Sequence, residues 1–169
     1  MGPTTGRHTL VIGVGNTLRG DDGVGVRIAD ELSAGPLPKD VTVLDGGTGG
    51  LDLLLHFEGA ERVILIDAAQ MGREPGQVRV FGGERLGQAS DVRFASTHGF
   101  GVAEVLALGR SLGVQPDVTV VGIQPESVVL RDGLSETLAA RMPEYLQLTR
   151  GLLAAESERS TGSHMQSKE

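Results

Sequence analysis

Two adjacent carboxylates, Asp21 and Asp22, stand in the stretch Val11 to Val26, VIGVGNTLRGDDGVGV. A β-branched run feeds a glycine turn there, and the turn feeds the start of a helix. Gly13-Val14-Gly15 after a strand invites a nucleotide-binding reading, but a phosphate cradle needs backbone N–H groups and often a cation. The two aspartates would put negative charge where the phosphate sits. The glycine spacing also departs from the dinucleotide fingerprint, and no Gly-Lys-Ser/Thr ending marks a P-loop. A cation suits this loop better.

Further polar residues with chemical capacity follow apolar runs: Asp45 after VTVL, Asp67 after RVILI, and Gln124 after DVTVVGI. His98 opens a helical pattern behind a glycine- and polar-rich loop, Gly82 to Thr97. Two carboxylates and one imidazole with open positions suit a borderline divalent metal. Each residue alone has a plainer reading. Asp21 or Asp22 can cap a helix, Asp67 can cap a turn, His56 in its short apolar helix reads as structural, and the glycines of DGGTGG can serve only a tight backbone path. Serine hydrolysis is weaker, with no GxSxG elbow and His98 as the one sensible base.

The elements that must position these residues alternate. Strands are expected at His8–Val14, Val41–Leu44, Arg62–Ile66, Gln77–Phe81 (alternating, as an edge or hairpin strand would) and Asp117–Ile123. Helices are expected at Asp22–Ser33, Leu51–Phe57, Gly101–Leu112 and Ser135–Ala155. Ser135 is the N-cap of the last, and Pro143 should kink or divide it. This order implies an α/β fold, a three-layer α/β/α sandwich on a mainly parallel, roughly five-stranded twisted sheet. In such a sheet ligands bind at the strand C-termini. Asp22, Asp67 and His98 form the central constellation on that rim, and their coincidence there is more specific than any one of them.

The 169 residues suffice for one domain, expected over 1–156, with a polar tail at 157–169 in which Gly162-Ser163-His164-Met165 resembles a cloning scar. There are no cysteines, which excludes disulfides, thiolate catalysis and Cys-ligated zinc. A net charge of -7 argues against nucleic acid or an anionic membrane as partner. The apolar runs are too short to span a bilayer, no secretion signal is seen, and a cytoplasmic monomer is the expectation.

Five motifs together resemble the nickel–iron hydrogenase maturation endopeptidases: GVGNTLRGDDGVG at Gly13 to Gly25, DGGTGG at Asp45 to Gly50, ILIDA at Ile64 to Ala68, STHGFG at Ser96 to Gly101, and GIQPESV at Gly122 to Val128. They cover nearly the whole ordered chain in the family's order. The resemblance implies an enzyme that removes a C-terminal extension from the hydrogenase large-subunit precursor after nickel insertion. It implies that Asp22, Asp67 and His98 bind the metal and carry catalysis, the same trio that the rim argument selects. The nickel would arrive with the substrate, and other divalent metals could occupy the site. It further implies that Asp45, Gly46, Gly47 and Thr48 take part in choosing the substrate. Members vary between Glu and Asp at the first ligand position; Asp22 is the shorter version. The family is sometimes classed with aspartic peptidases, yet this chain has no Asp-Thr-Gly or Asp-Ser-Gly dyad. Two competing readings are a nickel-dependent assembly chaperone that binds the precursor without cutting, and another metal-assisted peptide hydrolase; a dinucleotide binder is more distant.

Overall fold

The computed structural model describes residues 8–86, 95–96 and 101–162. Among these residues six strands run β1 (Thr9–Gly13), β2 (Val41–Asp45), β3 (Arg62–Gln70), β4 (Val78–Gly82), β5 (Ala95–Ser96) and β6 (Asp117–Ile123). Four α-helices accompany them: α1 (Val24–Ser33), α2 (Leu53–Phe57), α3 (Val102–Ser111) and α4 (Glu136–Gly162). The main path of the sheet is β2-β1-β3-β6-β4. The first three pairings are parallel, while β4 lies antiparallel on the outer edge of β6, and β5 pairs antiparallel with the end of β3. The expected mainly parallel sheet of about five strands is therefore present, with the alternating QVRVF segment forming an edge strand.

The central strands are apolar on both faces because helices cover both. Leu10, Ile12, Val63, Leu65 and Val120 pack with Leu53 and Phe57 of α2 and with Val102, Val105 and Leu106 of α3. On the other face Val11, Ile64, Ile66, Val121 and Ile123 pack with Ile28 and Leu32 of α1 and with Leu138 and Tyr145 of α4. That is the three-layer sandwich, and the near-continuous hydrophobic runs are the mark of parallel strands buried on both sides.

Connections from β1 leave in two directions. β2 lies on one side of β1, and the chain then crosses to β3 on the other. A crevice opens at such a switch point, beyond the carboxyl ends of the two diverging strands. Here those ends belong to β1 and β3, the strands that lead to Asp22 and carry Asp67.

Four boundaries differ from the sequence expectation. β3 continues past Asp67 to Gln70, because β6 and β5 supply partners as far as Ala68 and Gln70. The two aspartates lie in a 3-10 turn, Gly20–Gly23, so that α1 begins at Val24. Helix α4 passes through Pro143 undivided. Pro143 cannot donate to the carbonyl of Ala139, but Ala139 is exposed and water can take that place, while buried Leu138 and Tyr145 anchor the helix on either side. The same helix runs to Gly162, beyond the end expected at Ala155. Between Gly151 and Gly162 no glycine or proline stops it, and each added residue gains one hydrogen bond.

Candidate active site

The first loop is shaped by close backbone approach. A Cβ on Gly15, whose φ is +147°, would overlap the carbonyl oxygen of Asp22, and one on Gly25 would overlap that of Ile66. The Val14 N–H donates to the same Ile66 carbonyl at 2.8 Å. Glycine at these positions lets the chain fold the 3-10 turn onto the end of β3, against which it packs. Asp22 and Asp67 thereby come to one rim. Asp67 follows Ile66 directly, and Asp22 lies three residues before Gly25.

Both carboxylates are fully buried. Asp22 Oδ2 accepts the Asn16 N–H at 3.2 Å. Asp67 stands in register beside Gly122 of β6 and shares the alternation of Val63 and Leu65, which face the layer of α2 and α3. Burying carboxylates is costly, which makes Asp22 and Asp67 candidates for a role beyond packing.

Asp21 is a different kind of residue. Its Oδ2 accepts the N–H groups of Glu126 and Ser127 at 2.9 and 3.0 Å, and its Oδ1 accepts that of Ser135 at 2.7 Å. It makes no capping bond to α1. The plain expectation of a helix cap at its own turn is thus corrected: its carboxylate reaches across to fasten the β6–α4 connection. There Ser135 caps α4 as expected, its Oγ accepting the Leu138 N–H at 3.3 Å.

Gln124 is structural in the same sense. Its Oε1 accepts the N–H groups of Met71 and Arg73, and its Nε2 donates to Gln70 Oε1 at 2.8 Å, fixing the turn after β3. Asp45 is exposed at the end of β2, and its Oδ1 accepts the Gly47 N–H at 2.7 Å. The following loop lies on the first one: the Gly46 N–H donates to Gly13, and the Gly15 N–H donates to Gly47. Gly47 has φ +56°, a conformation glycine tolerates best. Asp45, Gly46, Gly47 and the exposed Thr48 therefore border the same rim as Asp22. His56, read as structural, is instead exposed at the end of α2, whose core-facing residues are Leu53 and Phe57, with Leu54 partly buried beside them.

His98 lies outside the described residues, as does most of the Gly82–Thr97 loop. The flanking described residues are Ser96, paired with Ala69 two positions beyond Asp67, and Gly101, directly before Val102, which packs in the α2–α3 layer. Among the described residues no three His, Asp or Glu side chains form a metal-holding group.

Residues 26–150 match the hydrogenase maturation protease family. The chain belongs to that family. It is 36% identical over 141 residues to the hydrogenase 2 maturation protease of Escherichia coli K12, covering 82% of this chain and 85% of the relative. With the hydrogenase expression/formation protein HupD of Rhizobium leguminosarum bv. viciae it shares 36% identity over 127 residues, which is 74% of this chain but 63% of HupD. The chain thus spans somewhat less than two thirds of that relative's length. The solved structure of the hydrogenase maturating endopeptidase HybD from E. coli superposes with a TM-score of 0.76 at 32% identity, over 88% of this chain and 93% of HybD. Fold class and family agree with the expectation from the motifs.

Sequence reasoning missed two features of the site. One is the Asn16 N–H that meets Asp22; a backbone donor leaves no residue signature, although Asn in a loop is a turn signal, and its Oδ1 does accept the Leu18 N–H at 3.0 Å. The other is the docking of residues 127–131 against the first loop, described below.

Proposed function

We propose that this chain is an endopeptidase that removes the C-terminal extension of a nickel-loaded hydrogenase large-subunit precursor. The observation that carries this reading is the convergence of two fully buried carboxylates, Asp22 and Asp67, at the switch point of a maturation-protease fold. Nickel carried by the precursor is the recognition signal. Carboxylate oxygens of Asp22 and Asp67, with the imidazole of His98 as third donor, complete its coordination; this oxygen-and-nitrogen set suits a borderline divalent ion. Docked so, the metal holds the scissile peptide at the rim and polarises its carbonyl or activates a water for attack. Asp45, Gly46, Gly47 and Thr48, on the loop hydrogen-bonded to the first one, select among precursors.

Incubation with nickel-loaded and nickel-free precursor, followed by intact-mass measurement, tests the reading. Loss of a C-terminal peptide from the loaded form alone is expected. Binding with no change in mass would make the chain an assembly chaperone, and equal cutting of both forms would remove nickel from recognition.

A further inference from the structure

The loop ahead of the aspartates and the loop after β6 are joined into one platform. The Arg131 N–H donates to the Leu18 carbonyl at 2.9 Å, and the Gly20 N–H to the Arg131 carbonyl at 2.8 Å. Arg19 and Arg131 stand opposite each other in an isolated parallel bridge. The Asp21 N–H donates to Ser127, and the Asp21 carboxylate holds the Glu126, Ser127 and Ser135 N–H groups in return. Gly20, at φ +58°, lies against the carbonyls of Ser127 and Val129. The backbone here is fixed from both sides.

What this rigid platform shows to solvent is unusual for loops. Leu18 is 62% exposed, Val129 62% and Leu130 85%. Between them stand the exposed Arg19 and Arg131. Asp132, beside Arg131 in the chain, is engaged by Arg27 at 2.9 Å, Arg131 Nη2 donates to the Leu134 carbonyl at 3.3 Å, and neither Arg19 nor Arg131 forms an ion pair among the described residues. Like charges placed opposite each other in a bridge repel, and exposed apolar side chains grouped beside polar ones mark interaction sites. In a chain of net charge -7 such a pair of guanidiniums is a local exception. It is complementary to a carboxylate, which arginine binds with directed, charge-assisted hydrogen bonds.

We propose that the paired loops 16–20 and 127–131 are the docking surface for a precursor segment that carries an acidic side chain beside apolar ones. The inference rests on the proposed function for the identity of the partner. The platform is continuous with the turn that holds Asp22, so a segment seated on it lies beside the metal-reading rim. Preorganisation by the Asp21 network means that these loops lose little conformational freedom when the segment binds.

The test is a titration of the cognate nickel-loaded precursor against the wild-type chain and two surface variants, with cleavage followed in parallel. The variants are Arg19→Glu/Arg131→Glu and Leu18→Ser/Leu130→Ser, with Arg19→Lys/Arg131→Lys as the conservative control. Affinity should fall about tenfold or more for the first, and severalfold for the second. The lysine pair should keep part of the affinity, and raised salt should weaken the wild type more than the glutamate pair. Unfolding midpoints should not move. Unchanged affinity in both variants overturns the inference, as does a change in self-association with precursor affinity intact, which would assign the patch to a second copy. A wild type that binds but does not cut removes the protease reading and leaves the docking result standing on the affinities.

Discussion

Asp21 and Asp22 are neighbours in the chain and equally buried, yet their surroundings divide their work. Asp21 accepts three backbone N–H groups from the β6–α4 connection, so its replacement should be felt in folding. Asp21→Asn should lower stability by about 2–3 kcal/mol, measured by chemical denaturation, because charge-assisted bonds to backbone donors are lost or weakened. Asp22→Asn should lower stability less than Asp21→Asn in the same assay, since the bond from the Asn16 N–H at 3.2 Å can be kept by an amide oxygen. The glycines offer a second contrast. Gly25→Ala would drive a Cβ into the Ile66 and Val14 carbonyls and should cost about 2–3 kcal/mol or more. Gly47→Ala meets nothing within 4 Å, and only its positive φ opposes the change, so about 1 kcal/mol is expected by the same assay.

At the scale of elements, α4 is the strut that ties the far end of the chain to the sheet. Tyr145, the single tyrosine, is buried and donates its hydroxyl to the Gly76 carbonyl at 2.8 Å, locking the β3–β4 connection. Burial pushes its hydroxyl up to about 12, with Arg141 opposing the shift and Glu144 and Asp21 adding to it. The folded state thus favours the neutral phenol. Its contribution to stability is complete below the ordinary tyrosine value of 10.0 and is lost as pH rises through about 12. Ultraviolet titration of the native protein should therefore show the phenolate appearing late, and urea midpoints should fall across that window. Tyr145→Phe should flatten this alkaline dependence and cost about 1–3 kcal/mol at neutral pH, since the Gly76 carbonyl loses its partner.

For the molecule as a whole, much was legible from the chain because hydrophobic period and turn residues report local structure well. RVILI and DVTVVGI read as strands from their apolar, β-branched runs, and the alternating QVRVF as an edge or hairpin strand, which the structure makes an edge. What was not legible depends on residues meeting across distance. Nothing local in RVILIDAAQ shows that β3 continues past Asp67, for the added residues are held by β6 and β5. Pro143 reads as a break until the burial of Leu138 and Tyr145 on either side is seen. Asp21 looks like a cap until its partners, more than a hundred residues away, are known. The placement of Asp22 and Asp67 toward one rim was legible for the opposite reason: strand ends in a parallel sheet gather there whatever the sequence between them.

In the proposed reaction Asp22 and Asp67 act together on nickel borne by the precursor. Its most direct test is the initial rate at which nickel-loaded precursor loses its C-terminal peptide with wild type, Asp22→Asn and Asp67→Asn, each first shown to be folded. Both variants should cut at least about 100-fold more slowly. Cutting within about twofold of wild type by either one would contradict the assignment.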